Sequence, residues 1–542
     1  MINENAYAQS DAGNRKIQSI TQSVIIFSLV MYVLFAPHSI AVTQGVYLIG
    51  FAAWGIELFA TRKFPQKRTP LDLALFSFFA CCVISSFFSY EFNVSLKGLK
   101  SPAFFFAFYF VSHTIKSMRF AKFLAFALIG SCLIGVVYSA GQITVGRGLR
   151  IDSIKADGAF DREGLEVGDV IIEADDEKVK TTEDLLRIAD SSRGRIQIKF
   201  QRNEAAGEAT ISRKAIRKSG EEGVARLGIT TSPGRSFRIT GFYSHYETYA
   251  EVLQLIAALA VGMFIAYPKK KSLPALFLGV SIPLITATLI LTSTRAALVG
   301  LSIAVAVMAF ASFSRRILVL ALLAIVLIAP LAYIAVKHTR GSNIFNPQED
   351  STQYRVEVWR EAMSLIKDHP IAGIGKGSEG GTKLREKYEL YNGGKLPPGH
   401  FHSTPIQIAT WWGLPALGFY VALMVMFFLK MWRSSQQFRA KKNGNAWGIV
   451  LGGMGALVAF NVSSLAHFNF GDGEVVMMFW LLTGLVFAVR QLATDEVFAE
   501  QANNKFVPPA IEDSHKNQPL ELEALAESNV RVAAVTQNSK SQ

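Results

Sequence analysis

In this chain of 542 residues, half of the side chains are hydrophobic and 40 are Phe. That is more than the core of a soluble protein of this length requires, so the composition points to a polytopic membrane protein. The net charge of +13 does not indicate nucleic acid, because Lys and Arg fall mainly in short loops between apolar runs, where they orient a protein in the bilayer. The three cysteines, Cys81, Cys82 and Cys132, all lie inside apolar runs, which leaves no basis for a disulfide framework or a thiolate metal site.

Residues 1–17 are polar and no small-residue cleavage site follows the first apolar run, so that run is expected to remain as a membrane helix. Stretches long enough to cross the ~30 Å hydrocarbon core are expected near 19–36, 42–60, 71–89, 98–115 and 120–143. After a soluble insertion they resume near 246–267, 273–291, 296–313, 317–335, 406–430, 447–465 and 475–489. The expected fold is an all-α polytopic bundle of about twelve transmembrane helices. Basic clusters at Arg15-Lys16, Arg62-Lys63, Lys67-Arg68, Lys116 with Arg119, Lys269-Lys270-Lys271, Arg315-Arg316 and Arg439 with Lys441-Lys442 fall in alternate loops. Those loops and both termini are then cytoplasmic, and the insertion and the turns near 91–97 and 467–474 lie on the outer face. The expected organisation is membrane helices over 1–145, a soluble domain over 146–233, membrane helices over 234–336, a large outer loop over 337–404, membrane helices over 405–493, and a disordered cytoplasmic tail over 494–542 that is polar and carries Pro508-Pro509.

The insertion has short β-like runs at 149–151, 170–172 and 196–200 and an amphipathic helix near 182–190. Gly148-Leu149-Arg150-Ile151, Gly164-Leu165 with Gly168-Asp169-Val170-Ile171, Thr182-Glu183-Asp184-Leu185 and Gly194-Arg195-Ile196 resemble an α+β PDZ domain of the bacterial periplasmic protease type. The resemblance implies that backbone amides of a first loop, here Gly148, Leu149, Arg150 and Ile151, hold the carboxylate of a peptide or protein partner that adds as a strand. The alternative is a PDZ fold that packs on its own membrane domain and binds no free peptide.

The large loop carries Tyr354-Arg355, then Gly373-Ile374-Gly375-Lys376-Gly377, then His400-Phe401-His402-Ser403. Ser351 or Thr352 as N-cap, with Val356, Trp359, Met363 and Ile366 at helical spacing and a stop at His369-Pro370, predicts a short helix. Arg360 has Glu357 and Glu361 near it, whereas Arg355 has no carboxylate three or four residues away and reads as available for a ligand. The glycine run lacks the Lys-Ser/Thr ending of a nucleotide loop. Arg295, in a tight turn between two spans, reads either as an anion-binding guanidinium or as one that snorkels to headgroups. His402 is the candidate base, with His400 competing.

Ser293-Thr294-Arg295 with Leu298 and Gly300, Tyr354-Arg355 with Trp359 and Ala362, His369-Pro370 with Gly373 and Gly375, and His402-Ser403 with Gly413 resemble the bacterial O-antigen ligase and polymerase superfamily. Members are integral membrane glycosyltransferases that take a glycan from undecaprenyl diphosphate. The resemblance implies a multi-pass protein of the bacterial inner membrane, surrounded by membrane lipids, with its site and PDZ domain on the periplasmic side. Arg295 and Arg355 would bind the diphosphate, Arg238 in Phe237-Arg238-Ile239-Thr240-Gly241-Phe242 would join them, and His402 would be catalytic. The acceptor would be lipid A core in a ligase, another lipid-linked repeat in a polymerase, or a Ser or Thr hydroxyl in a protein O-oligosaccharyltransferase. Ser403 stands where the family usually has Asn, and the PDZ insertion is unusual for it. No carboxylate cluster or His/Cys set with ligand spacing is visible on the outer face, so a metal-independent reaction without a cofactor is expected.

Three other classes compete. An intramembrane metalloprotease with a PDZ domain needs His-Glu-x-x-His, which this chain does not contain. A lipid-linked sugar transporter would want outer-face arginines but commonly shows repeated halves, and none is visible. A PDZ scaffold would leave Arg295, Arg355 and His402 without a role.

Overall fold

The structure, a computed structural model, describes residues 2–62, 69, 71–146, 148–191, 194–202, 205–217, 221–234, 238–312, 314–340 and 350–505. Before the insertion run α1 (Ile2–Phe35), α2 (Ile40–Thr61), α3 (Asp72–Phe87), α4 (Phe92–Gly98), α5 (Lys100–Ala103), α6 (Phe106–Thr114) and α7 (Met118–Val145). Ser39 and Ser117 cap α2 and α7, each hydroxyl accepting from the backbone three residues on. The insertion contributes α8 (Thr182–Ser191) and α9 (Arg213–Arg217). After it come α10 (Tyr246–Ala266), α11 (Leu273–Leu291), α12 (Arg295–Ala311), α13 (Arg315–Arg340), α14 (Asp350–Asp368), α15 (Thr382–Lys387), α16 (Leu390–Gly394), α17 (Thr404–Ala440), α18 (Gly444–Ser463) and α19 (Gly473–Lys505).

Among the described residues, eight helices are long and apolar enough to cross a bilayer: Ile17–Phe35, α2, α7, α10, α11, α17, α18 and Gly473–Asp495. The apolar windows of α10, α18 and α19 are 83%, 78% and 83% buried, so these three make the core on which the others pack. At the crossing of α10 and α18, a Cβ on Gly262 would collide with the backbone of Gly452, and one on Gly452 with Leu259. Glycine on both helices lets the backbones touch, the usual way membrane helices gain packing without a hydrophobic driving force. This close approach also brings the start of α10 against the end of α18.

Several expectations change. The apolar helices α3 and α12 are shorter than the eight. The run at 98–115 is not one span but, after the end of α4, the two short helices α5 and α6, because Pro102 donates no N–H and the junctions tighten to three-residue bonds such as Phe104 N–H to Ser101 C=O (3.2 Å). The run at 317–335 coincides with α13. The loop helix α14 begins at Asp350, so Ser351 and Thr352 lie inside it and do not cap it; helix starts vary by a residue or two around the best capping position. The helix α19 continues to Lys505 through residues expected to be disordered, because Ala, Glu and Gln sustain helix. The rest of the expected tail, with Pro508-Pro509, and the basic residues Lys63, Lys67 and Arg68 lie outside the described residues. By its internal packing the chain divides into Met1–Leu492 and Ala493–Gln542.

The insertion folds as one antiparallel sheet of β1 (Leu149–Ile154), β2 (Val170–Ala174), β3 (Glu177–Lys178), β4 (Arg195–Arg202), β5 (Ala205–Ser212) and β6 (Ile229–Pro233), in the order β5-β4-β2-β1-β6 with β3 on β2. Its core is Ile151, Ile171, Ile196, Ile198 and Ile211 against Leu185 and Ile188 of α8, as the alternation in β1 and β4 and the apolar face of α8 require. The expected carboxylate loop is corrected here. Leu149, Arg150 and Ile151 form strand β1, paired to Ile171 and Val170 on one side and to Pro233, Ser232 and Thr231 on the other. With both edges used, β1 cannot accept a peptide strand; only Gly148, at φ +70°, stands in the preceding turn.

Candidate active site

The glycine-rich turn is fixed by a break in α17. Gly413 leaves helical geometry (φ 85°, ψ 170°), which frees carbonyls of the preceding turn. Ile374 N–H donates to Thr410 C=O and Gly375 N–H to Trp411 C=O, both at 2.9 Å, and Leu414 N–H donates to Pro370 C=O at 2.7 Å. A Cβ at Gly413 would collide with the Ile371 carbonyl, so the approach requires glycine. The amides of Ile374, Gly375 and Lys376 are therefore taken, the last by Ser95 Oγ at 3.1 Å. The turn works as a clamp between the loop and the helices, not as a phosphate cradle. Glu379 is buried beneath it, accepting from Trp411 Nε1 at 2.8 Å, and burial raises its carboxyl to about 7.

The histidine segment is held from three sides. Trp359 Nε1 of α14 donates to Phe401 C=O at 2.7 Å, Gln407 Oε1 of α17 accepts from Phe401 N–H at 2.7 Å, and Thr404 N–H donates to Ser464 C=O at 2.8 Å. His402 takes a left-handed φ of +48°, and its amide donates to His400 Nδ1 at 3.2 Å. A neutral His400 thus carries its proton on Nε2. Nδ1 of His402 is buried, with no hydrogen-bond partner among the described residues. Burial, then the neighbouring His400, holds the His402 imidazole down to about 3, so it stays neutral around pH 7.

The reading of Arg355 as available for a ligand is corrected: Nη2 lies 3.8 Å from Glu247 Oε1 at the start of α10. Residues near Arg355 in sequence do not reveal this pair, because the carboxylate comes from a distant helix. The same oxygen lies 3.7 Å from His467 Nε2, and His467 Nδ1 lies 2.9 Å from Glu251 Oε1. Ser463 Oγ donates to Glu251 Oε2 at 2.8 Å, and Gln254 Nε2 donates to both. Burial would lower the His467 imidazole, but Glu247 and Glu251 outweigh it and hold it above its ordinary value. Glu247, Glu251 and His467 were not singled out from sequence; the only signal was a pair of acidic residues one turn apart at the head of an apolar helix.

Arg238 is buried with its guanidinium 4.1 Å from the ring of Tyr246, the first residue of α10. The next residue, Ile239, donates its N–H to Leu291 C=O at 3.5 Å, setting this segment beside the turn 292–295. Ser293 there has φ +53°, and Arg295 is the first residue of α12. The structure thus joins Arg355, Glu247 and His467 through direct contacts, sets His402 against Tyr354 and His400, and places Arg238 at the same end of α10, with Arg295 at the adjoining turn. Among the described residues, no three His, Cys, Asp or Glu side chains converge as a metal-ligand set.

Apolar helices that could cross a bilayer and an inserted α+β sheet domain define a multi-pass membrane protein with an inserted domain. Residues 280–421 match the family model described as O-Antigen ligase, and residues 150–202 match the one described as PDZ domain. The chain therefore carries an O-antigen ligase domain, of the membrane glycosyltransferase kind, together with a PDZ domain. No curated protein matches the chain closely enough to add to this. Arg295, Arg355 and His402 fall within the first match, whereas Arg238, Glu247 and His467 fall outside it. The strand β6 falls outside the second.

Proposed function

We propose that this site transfers a glycan from undecaprenyl diphosphate to an acceptor hydroxyl at the periplasmic face of the bacterial inner membrane, as an O-antigen ligase acting on lipid A core. The observation that carries this reading is that His402 packs against Tyr354, the residue before Arg355, with the rings 5.5 Å apart at 86°, so that the guanidinium's charge acts on the imidazole. A diphosphate already departs readily, so the reaction needs cationic charge on its oxygens and a base for the acceptor. The acceptor oxygen attacks the anomeric carbon, the bond from that carbon to the diphosphate oxygen breaks, and undecaprenyl diphosphate leaves as the anion. The acceptor's proton passes to His402 and then to water. Arg355, Arg295 and Arg238 hold the diphosphate, Arg355 by the planar fork that suits phosphate oxygens.

A peptide-recognising insertion favours a second reading, in which the acceptor is a protein Ser or Thr. Because β1 is filled on both edges, the receiving edge would be that of β6, next to α8 where Thr182 Oγ1 and Thr231 Oγ1 lie 2.7 Å apart. The test is transfer by the purified full-length protein from undecaprenyl diphosphate glycan to lipid A core, to a second lipid-linked repeat and to a Ser-containing peptide, with and without EDTA. Transfer to lipid A core that survives EDTA supports the ligase reading. Transfer to none, with lipid-linked glycan moving across a vesicle bilayer, would replace it by a transporter.

A further inference from the structure

Among the described residues, Glu247 is the acidic residue that touches both a proposed diphosphate ligand and a buried histidine. Its Oε1 is 3.8 Å from Arg355 Nη2 and 3.7 Å from His467 Nε2, and its charge acts on His402 and His400. On the far side, His467 is locked by Glu251, which Ser463 and Gln254 hold in turn. A carboxylate in this position does not belong in a site built only to hold an anion, since it repels the diphosphate that Arg355 would bind.

We propose that Glu247 is a displaceable counter-ion of the donor site and a positioning residue for the base, an inference that rests on the proposed glycosyl transfer. The Glu247 carboxylate, 3.8 Å from Arg355, pairs with the guanidinium until donor binds. When the diphosphate binds, Arg355 exchanges Glu247 for phosphate oxygens. Glu247 is left with His467, 3.7 Å away, and its charge acts on His402. As the acceptor's O–H bond breaks and its proton passes to His402, the imidazolium that forms gains a nearby negative charge. His467 and the Glu251 network keep Glu247 from following Arg355 toward the ligand. Anion binding and base activation are thereby coupled, because the charge of Glu247 that already acts on His402 is no longer offset by its pairing with Arg355 once donor is bound.

The experiment compares undecaprenyl diphosphate binding and glycan transfer in the full-length protein with Glu247→Gln and Glu247→Asp. Glu247→Gln removes the competing charge, so undecaprenyl diphosphate should bind about 5-fold more tightly while transfer slows on the order of 10- to 100-fold. Glu247→Asp, which keeps the charge but withdraws it by one methylene, should tighten binding by a smaller factor and retain more transfer; it decides the matter if Glu247→Gln does not elute as the wild type does. A purely structural role would weaken both quantities together. Unchanged or weaker binding in the variants, or unchanged transfer in Glu247→Gln, overturns the counter-ion role while wild-type transfer leaves the enzyme reading intact. A wild type that neither binds undecaprenyl diphosphate nor transfers glycan overturns both.

Discussion

Tyr354 of α14 and His402 of the large loop stand ring to ring, 5.5 Å apart and nearly perpendicular, and Tyr354 OH donates to Pro397 C=O at 3.1 Å. Because Arg355 is the next residue along α14, this contact sets the helix register that carries the guanidinium and the approach of the imidazole together. A sliding of α14 by one residue would move both.

Replacing His402 should therefore separate chemistry from binding. His402→Ala should lower the transfer rate by roughly 10²–10⁴-fold, the range for loss of a general base, with undecaprenyl diphosphate affinity little changed. His400→Ala should cost less, about 10-fold, because His400 supports the strained His402 backbone through Nδ1. The pH profile adds a check: with His402 held down to about 3, its basic form is fully present above about pH 5. The acid limb of kcat/KM should not appear at the ordinary imidazole value of 6.5. A greater loss in His400→Ala than in His402→Ala would reverse the assignment.

The three arginines should respond differently to the removal of charge and to the removal of the planar fork. Arg355→Lys and Arg295→Lys keep the charge but not the bidentate fork, and kcat/KM should fall about 10-fold; the alanine variants should fall about 100-fold. Arg238→Lys should be milder, since ammonium can also sit over the Tyr246 ring. Losses in the triple variant should be smaller than the product of the single ones if all act on one transition state, as transfer kinetics would reveal.

The clamp under the glycine turn should make stability depend on pH. Burial raises Glu379 from its ordinary 4.5 to about 7, so the folded protein keeps a proton that the unfolded chain releases. This contribution is fully present below pH 4.5 and is lost as pH rises through 7. Glu379→Gln, which keeps an acceptor for Trp411, removes that dependence. Thermal melts at pH 5 and pH 8 should show the variant gaining on the wild type at the higher pH, by on the order of 2 kcal/mol.

The side of the membrane can be tested with cysteine labels on a background lacking Cys81, which is only half-buried. Exposed positions Lys395 in the large loop and Lys214 in the insertion, changed to Cys, should react with an impermeant reagent in intact spheroplasts. Lys442→Cys, after α17, should react only after lysis. The reverse pattern would put the site in the cytoplasm, where its donor could not be presented as proposed.

Much was legible along the chain because the relevant forces are local. Twenty-residue apolar runs must pair their own backbone groups and so become helices in lipid; alternation and turn glycines defined the strands of the insertion; and the motifs at Arg295, Tyr354-Arg355 and His402 carried the family resemblance by residue type and spacing. What only the tertiary structure decided depends on contacts between distant segments. Whether Gly148 to Ile151 is a loop or a strand turned on β6 returning from the far end of the domain to fill its second edge. The partner of Arg355 was Glu247, at the head of another helix, brought near His467 because Gly262 and Gly452 let α10 and α18 touch. The glycine run became a clamp because Gly413 opened α17 and offered it two carbonyls. Helix crossings and freed backbone groups have no signature at fixed sequence spacing, since they are set by which surfaces can approach and which polar atoms must then be satisfied.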